Sequence, residues 1–148
     1  MKLTSPAFEH NGTIPKKYTC DGENINPELQ ITGVPENAKS LVLIMDDPDA
    51  PGGTFVHWVV FNIDPKTTVI EEKSNPPGSY EGMTGFRRAG YGGPCPPSGT
   101  HRYFFKAYAL DIGAVPFTTH DEENRETLLK LIKNHILAQA ELVGLYAR

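Results

Sequence analysis

At 148 residues and 16.3 kDa the chain has room for one domain, residues 1–148, around one core. Fourteen Lys and Arg against eighteen Asp and Glu give a net charge of -4 and a pI near 5.7, which excludes nucleic acid and anionic membrane as main partners because both select basic surfaces. A composition of 39% hydrophobic and 22% charged residues excludes a disordered chain, and 14 glycines with 13 prolines are too many for a helix bundle.

The first ten residues, Met1 to His10, carry no apolar run after Lys2, and no window reaches the length of a membrane span. A cytoplasmic protein with no stable membrane insertion is expected. Lys2 to Thr4 and Leu29 to Ile31 read as short strands, separated by the turn signal Asp21-Gly22. Leu41 to Met45 is an unbroken apolar run of strand length, and His57 to Ile63 is a second, rich in β-branched and aromatic residues. Both read as buried strands. Val69 to Glu72 is a shorter candidate.

Ser74 to Thr100 holds half the glycines of the chain and five prolines. A connection this long and this poor in aliphatic residues reads as a binding loop, stiffened at its end by Pro94, Pro96 and Pro97. The strand Arg102 to Leu110 follows, with Tyr103, Phe105, Ala107 and Ala109 on one face. The one predicted helix runs from Asp121 to about Gln139. A capping box of Thr119 and Glu122 marks its start, and Leu128, Ile132 and Ile136 form its apolar stripe. Leu142 to Tyr146 reads as a last short strand.

Several residues could carry chemistry. Asp47 and Asp49 flank Pro48 at the end of a buried strand, and extended geometry before proline would project both carboxylates to one side. A polar turn capping the strand explains the same residues. His57 and His101 each sit at a loop-to-strand junction, where functional side chains collect; a structural role fits either one taken alone. Cys20 and Cys95 are too few for a disulfide scaffold and are expected as free thiols in the cytosol. The cysteines and histidines lack zinc-ligand spacing, so no metal is expected. A Cys95–His101 nucleophile pair is the hydrolase alternative, with Ser98 a weaker candidate outside any Gly-x-Ser-x-Gly elbow.

Taken together, Cys20-Asp-Gly22, Asp47-Pro-Asp-Ala-Pro51, His57-Trp58, Gly90-Tyr-Gly-Gly-Pro-Cys-Pro-Pro-Ser-Gly99 and His101-Arg-Tyr103 resemble the phosphatidylethanolamine-binding protein family, in its prokaryotic Raf kinase inhibitor-like branch. The resemblance spans about Leu3 to Tyr146. It implies a mainly β fold of two antiparallel sheets with a peripheral C-terminal helix, and a small anion pocket at one end of the strands. Carried over, that pocket is lined by Asp47, Asp49, His57, His101 and Tyr103, with Gly93 and Pro94 in the loop that forms a wall. Both cysteines are placed at its rim. The chain differs from the family pattern at Asn26, Ile31, Thr84 and Arg87, where Ser or Thr, Trp, Asn and Gly are expected.

The function implied is non-enzymatic binding of a phosphate-like anion or phosphorylated head group, with no cofactor. Carboxylates beside the imidazoles would favour two charged histidines that grip the anion, helped by backbone N–H groups of the glycine-rich loop. The alternative is a protein-interaction module that inhibits a protease or kinase through an apolar patch of Tyr80, Phe86 and Tyr91. A homodimer is compatible with either reading.

Overall fold

The computed structural model describes residues 1–148. Nine strands form: β1 (Lys2–Thr4), β2 (Gly12–Thr13), β3 (Leu29–Thr32), β4 (Ser40–Asp47), β5 (Phe55–Ile63), β6 (Val69–Ile70), β7 (Tyr80–Glu81), β8 (Thr100–Leu110) and β9 (Ile136–Ala147). The single α-helix is α1 (Arg125–Ile132). A small sheet has the order β1-β3-β6, and a large one the order β2-β9-β8-β4-β5-β7. Neighbouring strands are antiparallel throughout, except that β2 runs parallel to β9. The architecture is mainly β with two sheets and one short helix near the C-terminus, as the resemblance implies.

The centre of the large sheet is buried on both faces, which is why β4 is apolar without alternation. Leu41, Leu43 and Met45 point toward the small sheet and join Trp58, Tyr103 and Phe105 in the main core. Val42 and Ile44 point the other way and join Val59, Phe61, Leu128 and Ile132 under α1. On β8 the alternation predicted from sequence holds: Tyr103, Phe105, Ala107 and Ala109 share the main core, and Leu110 packs under α1.

The helix is much shorter than its sequence pattern predicts. Thr119 starts only a 3-10 turn, His120–Glu122, and makes no side-chain cap. Asn124 caps α1 instead, its Oδ1 accepting the Thr127 N–H at 2.9 Å. Beyond Ile132 the predicted stripe fails, and Ile136 opens a twelve-residue strand paired with β8 from Thr100 to Leu110. Ala, Gln and Leu in this segment favour a helix locally, but long antiparallel pairing along the sheet prevails. The C-terminal element is thus a strand, and it absorbs the short strand predicted at Leu142 to Tyr146.

The four departures from the family pattern are accommodated. Buried Asn26 donates to the Glu71 carbonyl at 2.9 Å and accepts the Ser74 N–H at 3.0 Å. Ile31 fills core space, and the Thr84 hydroxyl donates to the Arg88 carbonyl at 2.7 Å. Arg87 takes φ 61°, a conformation that suits the glycine expected there.

Candidate functional site

The ends of β4, β5 and β8 and the loop before β8 enclose a cavity of about 210 Å³ on the main-core side of the large sheet. Asp47, His57, His101 and Tyr103 supply its polar groups, and Phe55, Phe86, Pro96 and Pro97 its apolar walls. Asp47 and His101 reach it by simple alternation, since Asp47 follows Met45 and His101 precedes Tyr103 on core-facing rows.

His57 arrives by a different route. Met45 pairs with Trp58, but the next β4 residue, Asp46, pairs with Val56, so His57 is an extra residue in the ladder. This bulge lets His57 share a side with Trp58, where strict alternation would send it toward α1. Asp46, on the α1 side, is buried and accepts from Arg125 Nε at 2.9 Å and Lys106 Nζ at 3.4 Å. It is an anchor for α1 and has no part in the cavity.

The hydrogen bonds define what each group offers. His57 Nδ1 lies 2.7 Å from the Gly92 carbonyl oxygen. A carbonyl only accepts, so Nδ1 carries a proton and Nε2 is left without a protein partner. The ring sits edge-on among Phe55, Phe86 and Tyr103, with centroids 4.9–5.3 Å apart across this cluster. Burial pushes the His57 pKa below its ordinary value, against weaker opposing effects of the Gly92 carbonyl and Asp47. His101 Nδ1 lies 2.7 Å from Asp47 Oδ2, which orients that ring and again leaves Nε2 free. The Tyr103 side chain is fully buried, and its hydroxyl has no hydrogen-bond partner. Asp47 and the Cys95 backbone are close enough to bias its ionisation, yet neither completes a hydrogen bond. Burial, with Asp47 adding to it, pushes the phenol pKa upward.

Four of the predicted site residues are therefore brought together, and three are not. Asp49 does not share the side of Asp47, because Asp47 Oδ1 accepts the Asp49 N–H at 2.8 Å in a tight turn that breaks the extended geometry. Its carboxylate turns outward to Arg102, meeting Nε at 2.9 Å, Nη2 at 2.8 Å and the backbone N–H at 2.9 Å. This fork lowers the Asp49 pKa to about 2. Gly93 and Pro94 lie behind the wall: the Gly93 N–H donates to Asn24 Oδ1 at 2.7 Å, and the Pro94 carbonyl accepts the Cys20 N–H at 3.1 Å. The Gly92 N–H is also committed, to the His57 carbonyl at 3.0 Å. The expected nest of glycine N–H donors is consumed by the fold itself.

The cysteines, expected as free thiols, are joined in a disulfide with a Cα–Cα distance of 5.4 Å. Their expected place at the rim of the cavity holds, and the hydrogen bond from the Cys20 N–H to the Pro94 carbonyl brings the two loops within bridging distance there. With its sulfur bonded, Cys95 is not a free nucleophile. No group of three or more His, Cys, Asp or Glu side chains is placed to hold a metal ion. No helix is long and apolar enough to cross a membrane. Of the three aromatic residues in the expected apolar patch, Phe86 lines the cavity, Tyr80 stacks on Phe61 and stays exposed, and Tyr91 packs edge-on against Trp58. Phe55, two residues before His57 on the same strand, lines the cavity too; the strand expected from sequence begins at His57 and so leaves it out, although i, i+2 spacing is the signal that pairs them.

His57 and Asp49 act on stability with the same sign. The unfolded chain binds a proton at His57 more readily than the folded one, so this contribution is full above pH ~6.5 and is lost as pH falls toward the depressed folded value. Asp49 contributes above its unfolded value of 3.8 and loses that contribution as pH falls to about 2. The Asp49–Arg102 pair is partly exposed and screened by solvent, so its contribution is the smaller of the two. Urea midpoints should therefore begin to fall just below neutrality, and His57→Gln should flatten that first limb. An unchanged limb in the variant would show that buried His57 is not its source.

Comparison with known proteins agrees with this architecture. The family profile described as phosphatidylethanolamine-binding protein matches residues 4–147. The UPF0098 protein of Methanothermobacter thermautotrophicus is 49% identical over all of this chain and 99% of its own length. A Chlamydia trachomatis crystal structure, described as a phosphatidylethanolamine-binding protein homologue, superposes with a TM-score of 0.92 at 41% identity, covering 99% of this chain and 97% of that one. Escherichia coli YbcL, described as a new member of the mammalian family, superposes with a TM-score of 0.91 at 30% identity, covering 99% and 98%. The chain belongs to the phosphatidylethanolamine-binding protein family.

Proposed function

We propose that this chain binds a small phosphate-like oxyanion, free or as the head group of a larger molecule, in the cavity between Asp47, His57, His101 and Tyr103, and that it does so without turnover. The observation that carries this reading is the fully buried Tyr103 hydroxyl, which has no protein partner. Leaving such a group unpaired costs roughly 1–3 kcal/mol, and a ligand oxygen would recover that loss. His57, His101 and Tyr103 line the same cavity, and with each Nδ1 engaged by the Gly92 carbonyl or by Asp47, the two Nε2 atoms are the ring positions left for a ligand. Two observations favour binding over catalysis: the Cys95 sulfur is held in the disulfide, and Ser98 is exposed with no hydrogen-bonded histidine.

Calorimetric titration with inorganic phosphate tests the reading. Wild type should bind, and Tyr103→Phe should bind about tenfold more weakly. The double variant His57→Ala, His101→Ala should not bind detectably while keeping its circular dichroism spectrum. Unchanged affinity in a folded double variant would remove the site assignment.

A further inference from the structure

The donor and acceptor arrangement of the cavity specifies the protonation state of its ligand, an inference that rests on the oxyanion reading above. His57 Nδ1 faces a carbonyl oxygen, so the tautomer is set, and in the neutral ring Nε2 presents a lone pair to the cavity. A bare oxyanion oxygen placed there would oppose lone pair to lone pair. A ligand oxygen that still carries its proton would instead donate to Nε2.

Charge points the same way. No Lys or Arg lines the cavity, and Asp47 brings a negative charge into it. The nearest guanidinium, that of Arg102, is engaged outside by Asp49. The titratable groups facing His57 are Asp47 from β4 and His101 and Tyr103 from β8; the long loop contributes the Gly92 carbonyl and the Phe86 ring. Buried Asp46 lies on the opposite face of the sheet, against Arg125. Nothing in this set compensates two negative charges on a ligand.

We propose that the cavity selects an oxyanion that keeps one acidic proton, the monoanion of phosphate or of a phosphomonoester, with its P–O–H donating to His57 Nε2 and the Tyr103 hydroxyl donating to a bare oxygen. A fully ionised dianion, or a phosphodiester that has no proton to give, is rejected at His57. The specificity lies in a neutral, buried acceptor, where two cationic histidines would favour the most highly charged ligand. Buried acceptors that would be left facing another acceptor are a strong source of discrimination.

Three probes separate charge from proton. Methyl phosphate loses its second proton near pH ~6. Dimethyl phosphate is a monoanion with no proton at any pH used, and sulfate is a dianion with none. Affinities are measured by calorimetry from pH 5 to pH 8, and each is expressed as the ratio of methyl phosphate to dimethyl phosphate, which removes effects common to both ligands. The ratio should be about 10 to 100 at pH 5 and should fall toward tenfold per pH unit above ~6. Sulfate should bind weakly throughout. In His57→Gln, whose side-chain amide can donate, the ratio should approach 1 at pH 5, where both ligands are monoanions.

A wild-type ratio that stays constant with pH, or sulfate and dimethyl phosphate binding as tightly as methyl phosphate, would overturn proton selection while leaving the oxyanion site in place. Failure of every probe to bind wild type would instead overturn the oxyanion reading, and this inference with it. The pH series needs only the wild-type protein, so poor folding of the variant does not blunt the test.

Discussion

Replacing Cys20 and Cys95 together with serine should lower the unfolding free energy by about 4 kcal/mol. The bridge joins residues 75 apart in sequence, so it removes a large share of the conformations open to the unfolded chain. Urea unfolding of wild type, of wild type reduced with dithiothreitol, and of the double variant should give one low midpoint for the last two. A loss under ~1 kcal/mol would mean that the unfolded chain gains little freedom when the bridge is cut. Anion affinity should change much less than stability. In the folded state the rim loops remain tied by the Cys20–Pro94 and Gly93–Asn24 hydrogen bonds and by the Tyr91 hydroxyl, which donates to the Tyr18 carbonyl at 2.7 Å.

Gly93→Ala should damage both stability and binding. A Cβ at this position would lie 2.2 Å from the Tyr18 carbonyl oxygen and 2.9 Å from Thr19 Cα. Both are backbone atoms, so the strain cannot be relieved by a rotamer change, and the loop must move away. That movement breaks the Gly93–Asn24 hydrogen bond and displaces Pro96 and Pro97 from the cavity wall. We expect a loss of about 2–3 kcal/mol and phosphate binding at least about tenfold weaker. Gly113→Ala is the control, because its Cβ would meet nothing within 4 Å. Equal behaviour of the two variants would contradict the close approach of the loops.

The elements that the sequence made legible are those whose burial is simple. β4 is read from its unbroken apolar run because both of its faces are covered, and β8 from its alternation because its two faces differ. The helix was overextended for a physical reason. Leu128, Ile132 and Ile136 fit a helical period, while pairing of β9 with β8 depends on contacts that no local pattern encodes. The same limit applies to the site. Asp47, His57, His101 and Tyr103 could be named from their motifs, but the bulge that turns His57 inward exists only in the register between β4 and β5. Asp49 was misplaced because an Asx turn overrode the extended geometry expected before proline. The expected upward shift at His57 is reversed because burial outweighs Asp47, and Phe86, which helps to enclose the ring, comes from a loop position whose proximity is set by the fold.

The central claim is that an oxyanion occupies the space between His57, His101 and Tyr103. The most direct measurement is a titration of inorganic phosphate into protein labelled with nitrogen-15 at histidine, following the imidazole resonances by nuclear magnetic resonance. The account predicts that His57 and His101 shift along one saturable curve, while the more exposed His10, His120 and His135 do not follow it. Saturable phosphate binding that leaves the His57 and His101 rings unmoved would place the anion elsewhere and contradict the account.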